Sequence, residues 1–455
     1  LADDPGYAEK YLEAIDRVDG RDVVRVLRAY ILKEPKGVVA VVPKKASNPH
    51  TIQLQNGLRC VYNRNTASPT FSFMMGFVGG IKEERPGRNG SFNVLARMLL
   101  KGTKDLDAQA IARRIDTLAG SITPVAGRNV LALSGKFLSK DFGEALGLLK
   151  ELVLMTLPRQ DELDKVKEEV LSEIRRRDDE PLQYAFALMN RELYEGHPYA
   201  LDQIGSAADV AGLKLQDVQE LYRTFVGPKG AVLALSGDID KAAAEGAVRS
   251  LFSDWVGGGQ VLRKVPYAVS AGRERKAERE MLQTHLIYAF TGPGLIDADR
   301  YPVEVMNAIL SGMGGRIHRK LREENPFAYA VTFFNQAAFE TGAIGIYIGT
   351  DRTHVEDVDR IVAQEIEAIR ERGFTDGEVS SAKRYMIGNH YIRMQTNSAI
   401  ASSMCLDTIY GLSPGFFKVW PERAEAVSKE EVDASARTYL LPDRMVRIEV
   451  GPERG

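Results

Sequence analysis

Residues 213–235 read LKLQDVQELYRTFVGPKGAVLAL and contain a short amphipathic helix followed by an apolar strand. Leu213, Val218 and Phe225 mark the apolar face of the helix, and residues 231–235 form the strand. The same spacings, each followed by a strand, recur at Val18, Val23, Tyr30 and residues 38–42, and at Val427, Val432, Tyr439 and residues 446–450. Three copies in the same order indicate an internal duplication.

This duplication predicts an α+β fold with two modules, each a mostly antiparallel sheet packed with helices. Strands and helices are neighbours within each module but do not alternate strictly, which argues against a doubly wound sheet. We assign one module to residues 47–255 and the second to residues 279–455. The segment 256–278, rich in glycine and charge, is expected to be a mobile surface linker. Residues 1–45 resemble the end of a third module, with a helix and a strand, and we expect the rest of that module to lie upstream.

Composition limits the classes of function. The chain has 455 residues, 44% of them hydrophobic, and a formal net charge of −2, so no electrostatic argument favours nucleic acid. No apolar run reaches the length of a membrane helix, which is about 18 residues. The first residue is Leu1 and no signal peptide follows it, so we expect an upstream segment to have been removed. Cys60 and Cys405 are far apart in sequence, and their disulfide state stays open.

A second stretch contains the candidate chemistry. Residues 310–331 read LSGMGGRIHRKLREENPFAYAV: a glycine-rich turn, a basic helical run and the start of a strand. Glycines allow close approach of a ligand to the backbone, so Gly312, Gly314 and Gly315 are candidate substrate-binding residues. A phosphate cradle is the weaker alternative, because the Gly-Lys-Ser/Thr ending of a P-loop is missing. Arg322 and Tyr329 could donate to a developing negative charge, although a pair of this kind is more often an ordinary helix cation and strand aromatic.

The helix that ends in LLKGT, residues 99–103, resembles the corresponding helix of the pitrilysin/insulinase family of zinc metallopeptidases. In that family the helix carries an inverted His-x-x-Glu-His motif, in which two histidines bind zinc and the glutamate is the general base. The matching residues here are Asn93, Ala96 and Arg97. An asparagine is a poor zinc ligand, an alanine cannot act as a base, and an arginine repels a cation. The resemblance therefore implies a degenerate metal site.

The third zinc ligand of the family is a glutamate on a later helix, and Glu173 in the sequence VLSE matches it. The resemblance makes Glu173 a vestige of the site, and an ion pair with Arg97 is one expected fate. The alternative is an ordinary solvated helix residue. No second zinc motif replaces the first, because no two histidines have ligand spacing; they are His50, His197, His285, His318, His354 and His390.

The resemblance extends to the second module. Family members complete the active site with an Arg and a Tyr seven residues apart, in a Leu-Arg-Glu…Ala-Tyr context that matches Arg322 and Tyr329. Their family role is to hold the substrate backbone and to stabilise the oxyanion. One departure concerns the strand after Gly120, which pairs with substrate in the family. Here it contains Pro124, which lacks a backbone donor and so weakens peptide binding by strand addition.

These observations favour one function and leave two alternatives open. We expect the C-terminal, non-zinc half of a zinc metalloendopeptidase, inactive alone, that binds an unfolded or short peptide together with a zinc-bearing upstream half or partner subunit carrying His-x-x-Glu-His. The first alternative is a non-catalytic scaffold, like the core proteins of respiratory cytochrome complexes. The second is an assembly partner that only positions an active subunit. A periplasmic or organellar location follows from family analogy alone.

Overall fold

The computed structural model describes residues 17–26, 48–267, 269, 271–311 and 316–452. Residues 17–26 belong to a separate unit and contain helix α1, Gly20–Val26. The Asp19 carboxylate caps this helix by accepting the N–H groups of Arg21 and Asp22 at 2.7 and 3.0 Å. The strand predicted at 38–42 lies outside the described residues. All residues from 48 onward form one compact unit.

The first sheet of this unit has six strands in the order β1-β2-β6-β3-β5-β4. Neighbours are antiparallel except β2 and β6, which are parallel. Gly57, with φ of +99°, turns the β1–β2 hairpin at the predicted Asn-Gly step. The strands are β1 His50–Gln53, β2 Arg59–Arg64, β3 Thr70–Val78, β4 Ser121–Ala126, β5 Val130–Leu138 and β6 Val232–Gly237.

The second sheet has five strands in the order β7-β11-β8-β10-β9, antiparallel except for β7 and β11. In both sheets the last strand inserts beside earlier ones, so the predicted α+β fold with two mostly antiparallel sheets is confirmed. The strands are β7 Arg273–Glu278, β8 Thr284–Gly292, β9 Ala328–Gln336, β10 Gly342–Thr350 and β11 Val446–Gly451. The assignment of residues 273–278 to a mobile linker is wrong, because this charged segment is an edge strand, where exposed charges are tolerated.

Several helices of this unit lie where the apolar spacing predicts them, among them Leu215–Phe225 and Lys429–Tyr439. The helices of the first half are α2 Ser91–Met98, α3 Ala108–Thr117, α4 Phe142–Leu154, α5 Gln160–Asp179, α6 Pro181–Leu193, α7 Ala207–Gly212, α8 Leu215–Phe225 and α9 Lys241–Phe252. Those of the second half are α10 Arg300–Ser311, α11 Arg316–His318, α12 Val355–Arg372, α13 Asp376–Arg393, α14 Asn397–Ile409, α15 Phe416–Glu425 and α16 Lys429–Tyr439. No helix in the described part of the chain is long and apolar enough to span a membrane.

The two halves exchange one helix each. Helix α6, from the first half of the chain, packs on strands β8 and β11 of the second sheet. Helix α14, from the second half, packs on strands β3 and β6 of the first sheet. Both faces of each sheet are therefore covered, which explains why nearly every residue of β3 and β10 is buried and most of them are apolar. Cys60 and Cys405 are buried free thiols on opposite faces of the first sheet.

Candidate functional site

Hydrogen bonds from the backbone to the Glu84 carboxylate fix the position of the N-terminus of helix α2. Gly90, with φ of +99°, precedes the helix, and the Glu84 carboxylate accepts the backbone N–H groups of Gly90 and Phe92, the latter at 3.0 Å. Burial raises the pKa of Glu84 although these hydrogen bonds, with one from Asn89, act to lower it. The start of α2 is thus held by an acidic side chain at its positive end.

Three of the residues predicted to be a degenerate zinc site are brought together. The Arg97 guanidinium donates through Nε to Asn93 Oδ1 at 3.2 Å and through Nη2 to the Glu173 carboxylate on helix α5. The Asn93 side chain donates to the Ile204 carbonyl at 3.0 Å. Ala96 is buried in the core of the first half. The result is a closed hydrogen-bonded chain from Ile204 to Glu173.

These side chains do not fit a zinc ion. Zinc needs three or four N, O or S donors at about 2.0–2.3 Å. Of the donors here, Asn93 Oδ1 and the Glu173 carboxylate already accept from Arg97, whose own charge stands where a cation would be held. No group of three His, Cys, Asp or Glu side chains suited to a metal occurs within the described residues.

Arg322 lies in the π-helical segment Arg319–Glu324, which continues α11. Neighbouring cations are paired: Arg316 with Glu378, Arg319 with Glu324 and Lys320 with Glu365. The Arg322 side chain is exposed and, within the described residues, has no hydrogen-bond or ion-pair partner. A permanently charged donor that is left free beside paired neighbours is available to a ligand.

Tyr329 is the second residue of β9 and is 59% exposed, and its hydroxyl has no partner among the described residues. The chain between Arg322 and Tyr329 folds back on itself, because the Phe327 N–H donates to the Leu321 carbonyl at 3.1 Å. The residue before Arg322 thus lies close to the segment that leads into Tyr329. Gly312, Gly314 and Gly315, the predicted substrate-binding glycines, lie outside the described residues.

The edge strand β4 cannot offer a full row of backbone donors. Gly127 N–H donates to the Val130 carbonyl at 2.8 Å, and hydrogen-bonded pairs alternate along an antiparallel ladder. Thr123 and Val125 therefore bond to β5, whereas the backbone of Pro124 faces the open edge. Since proline has no N–H, the central outward donor of this edge is missing.

One cleft was not foreseen from the sequence. It lies between α10, α13, α14 and α15, next to β9, has a volume of about 380 Å³, and contains the carboxylates of Glu304 and Asp407. Its residues come from five separate elements, so no local motif marks it. The only sequence signal is an acidic residue on the otherwise apolar and small-residue helix α14.

Two family models match consecutive parts of the chain. The model described as insulinase (peptidase family M16) matches residues 59–206, which include helix α2. The model described as the peptidase M16 inactive domain matches residues 212–386, which include Arg322 and Tyr329.

Individual relatives agree with this match. An uncharacterized zinc protease of Streptomyces coelicolor is 25% identical, over 85% of this chain and 86% of its own length. The crystal structure of a peptidase M16 inactive domain from Pseudomonas fluorescens superposes with a TM-score of 0.82 at 23% identity, covering 90% of this chain and 99% of that one. A chain in the complex III2 structure from Candida albicans, with Inz-5 bound, has a TM-score of 0.75 at 17% identity, covering 88% and 95% of the two chains.

Proposed function

Because this chain belongs to the pitrilysin/insulinase family of zinc metallopeptidases and represents its inactive half, we propose that it is the non-zinc half of a two-part metalloendopeptidase. In this proposal the zinc site and the hydrolytic water belong to a partner half that carries His-x-x-Glu-His. This chain contributes Arg322 and Tyr329, which hold the backbone of a peptide substrate and stabilise the oxyanion formed during hydrolysis. Alone, the chain is inactive.

The observation that carries the proposal is the contrast between Arg322 and its neighbours. Arg316, Arg319 and Lys320 are each bound to a carboxylate of this chain, whereas Arg322 and the Tyr329 hydroxyl are exposed and without a partner in the described part of the chain. These two exposed donors lie on segments joined by the backbone hydrogen bond from Phe327 to Leu321, and both are free to bond an external acceptor such as a peptide carbonyl.

The partner half need not be part of the same polypeptide. The Streptomyces coelicolor protein is matched over 86% of its own length. A chain with two sheets is thus a form in which the family occurs, and this supports a separate zinc-bearing subunit as the partner.

The test is reconstitution with a family member from the same genome that carries His-x-x-Glu-His. We expect cleavage of an internally quenched peptide only when both chains are present, with zinc bound to the partner alone. Turnover should fall strongly in Arg322→Ala and Tyr329→Phe. Unchanged turnover in both variants would reject a role for this pair in the reaction.

The alternative function is that of a non-catalytic scaffold. The fold similarity to a chain of the Candida albicans complex III2 structure favours it, as does the closed Arg97–Glu173 pair. The same experiment separates the two functions: a scaffold would form a stable complex with its partner whose peptide turnover does not depend on Arg322.

A further inference from the structure

The duplication places an equivalent cleft in each half. In the first half α2 contacts α5 and the edge strand β4, and in the second half α10 contacts α13 and the edge strand β9. In the first half this region is closed by the hydrogen bonds among Asn93, Arg97 and Glu173. In the second half it is open, as the cleft of about 380 Å³ described above. Of the two equivalent regions, only the one in the second half has room for a ligand.

Two carboxylates, those of Glu304 and Asp407, and two guanidinium groups, those of Arg300 and Arg393, line this cleft. Both carboxylate oxygens of Glu304 are hydrogen-bonded within the protein. They accept from Arg300 Nε at 3.1 Å and from Trp420 Nε1 at 3.0 Å. Asp407 accepts only the Ser403 hydroxyl, at 3.3 Å, and no cationic side chain of the described residues lies within ion-pair distance of it. Burial raises the pKa of Asp407 to about 6, although the hydrogen bond from Ser403 and the charge of Arg300 act to lower it, so its ionised form is only partly compensated in the free chain.

The walls add donors and acceptors that the protein does not use itself. The amide side chains of Asn307, Asn335 and Asn389 line the cleft and have no hydrogen-bond partner among the described residues. His390 is 5% exposed and stacks on Trp420 with 4.6 Å between ring centroids.

The unused atom of His390 is its second ring nitrogen. Nε2 lies 2.6 Å from the Phe417 carbonyl and must therefore donate, while the buried Nδ1 has no partner. Burial lowers the pKa of His390, which keeps the ring neutral. A polar, partly aromatic cleft with several unsatisfied amides fits a peptide better than an apolar ligand.

We infer that this cleft is a subsite for a basic side chain of a bound peptide, with Asp407 as the residue that accepts the ammonium or guanidinium group. The asparagine side chains are placed to bond the peptide groups on either side of that residue. Arg393 also lines the cleft and is exposed to solvent, which screens part of its charge, although that charge still acts to lower the pKa values of Glu304 and His390. This inference rests on the proposed function in so far as the ligand is a peptide, but it concerns a different set of residues.

The test measures binding to this chain alone, by calorimetry, with two blocked pentapeptides. One has the sequence Gly-Ala-Lys-Ala-Gly and the other has norleucine in place of lysine, which keeps the stem and removes the charge. A charge-assisted hydrogen bond in a half-buried site should make the lysine peptide bind about tenfold more tightly. Asp407→Asn should abolish this preference. Glu425→Gln, with the same charge change on α15 outside the cleft, should keep it.

Equal binding of the two peptides, no binding of either at millimolar concentration, or a preference that survives in Asp407→Asn would each overturn the inference. Asn307→Leu provides a second check that leaves the charge in place, and it should weaken both peptides to a similar degree. Because no partner half and no turnover are involved, failure here leaves the roles proposed for Arg322 and Tyr329 untouched. Conversely, loss of those roles would not remove a lysine preference that depends on Asp407.

Discussion

Lys82 and Glu340 form an ion pair that is almost completely shielded from water. Lys82 Nζ lies 2.8 Å from Glu340 Oε1, and the two side chains are 1% and 2% exposed. Lys82 follows β3 of the first sheet, whereas Glu340 lies in the β9–β10 turn of the second. The Asn129 amide and the Tyr199 hydroxyl also donate to Glu340. The pair therefore fastens the two sheets to each other.

Replacing Glu340 by Gln should destabilise the fold by about 3 kcal/mol, because it leaves the Lys82 ammonium buried without a counter-charge. Urea unfolding of both proteins measures this difference. Glu220→Gln is the matched control, since Glu220 pairs with Arg85 on the surface, with side chains 56% and 76% exposed, and should cost less than about 0.5 kcal/mol. Equal losses in both variants would contradict a special role for the buried pair.

Arg322→Ala should leave the melting temperature of the isolated chain unchanged, since the side chain makes no internal bond within the described residues. In the reconstituted enzyme the same change should lower kcat/KM by about 10²-fold or more, the usual effect of removing an oxyanion donor. Arg319→Ala, which removes an exposed cation paired with Glu324, is the control and should leave turnover intact. A large fall in turnover for Arg319→Ala would show that net charge matters rather than Arg322.

The Arg97–Glu173 pair should couple by about 1 kcal/mol in a double-mutant cycle of Arg97→Met and Glu173→Gln. The side chains are 26% and 34% exposed, so solvent screens part of the attraction. Chemical denaturation of the four proteins gives the coupling energy. A value near zero would mean that Asn93 and the surrounding helix packing hold Arg97, without help from Glu173.

Asn93→His together with Arg97→His should convert this closed region into a zinc site. The two histidines would lie one helical turn apart on α2, and the loss of Arg97 frees the Glu173 carboxylate as a third ligand. We expect about one zinc per chain by elemental analysis and a rise in melting temperature on adding zinc. The single variant Arg97→His is the control and should bind zinc only weakly. An absence of zinc in the double variant would show that Glu173 on α5 is too far from the two histidines on α2 to bind the same ion.

Asp407→Asn should stabilise the chain at neutral pH but not at pH 4. Burial raises the pKa of Asp407 from 3.8 to about 6, while the nearby Arg300 opposes the rise. The native state thus binds more protons than the unfolded state between these two pH values, and stability falls as pH rises through this window. Ionising Asp407 in the folded chain costs up to about 3 kcal/mol, so the variant should gain most of this above pH 7. Denaturation at pH 4 and 7.5 measures the difference, and an equal gain at both would exclude ionisation as the cause.

Much of the fold was predictable from local pattern. The spacing of Leu163, Val166, Val170 and Ile174 predicts a helix that the structure places at Gln160–Asp179 with all four side chains buried. The strand predicted at residues 231–235 is found at Val232–Gly237. The error at residues 273–278 has a physical reason, because an edge strand that faces water need not be apolar and so resembles a linker.

The sequence indicates a candidate site only where one local motif contains its residues. Asn93 and Arg97 on helix α2, and the spacing of Arg322 and Tyr329, are such local patterns, and the roles assigned to these residues stay predictions. The cleft around Asp407 could not be read in this way, since Glu304, His390 and Trp420 come from three further helices. The periodicity of a helix predicts which of its residues share a face, but it does not predict which other helices that face contacts.

By itself, the amino-acid sequence determined the α+β class, several of the helices and strands, the internal duplication, and the identity of Asn93, Ala96 and Arg97 on α2. Each of these can be recognised from short local patterns, or from the recurrence of such a pattern along the chain. Only the tertiary structure decided that α6 and α14 exchange between the sheets, that Arg97 bonds to Glu173, and that Lys82 meets Glu340, 258 residues away. Such contacts depend on how all the elements pack together, because the burial of a charge is stable only where the whole fold brings its counter-charge to the same place.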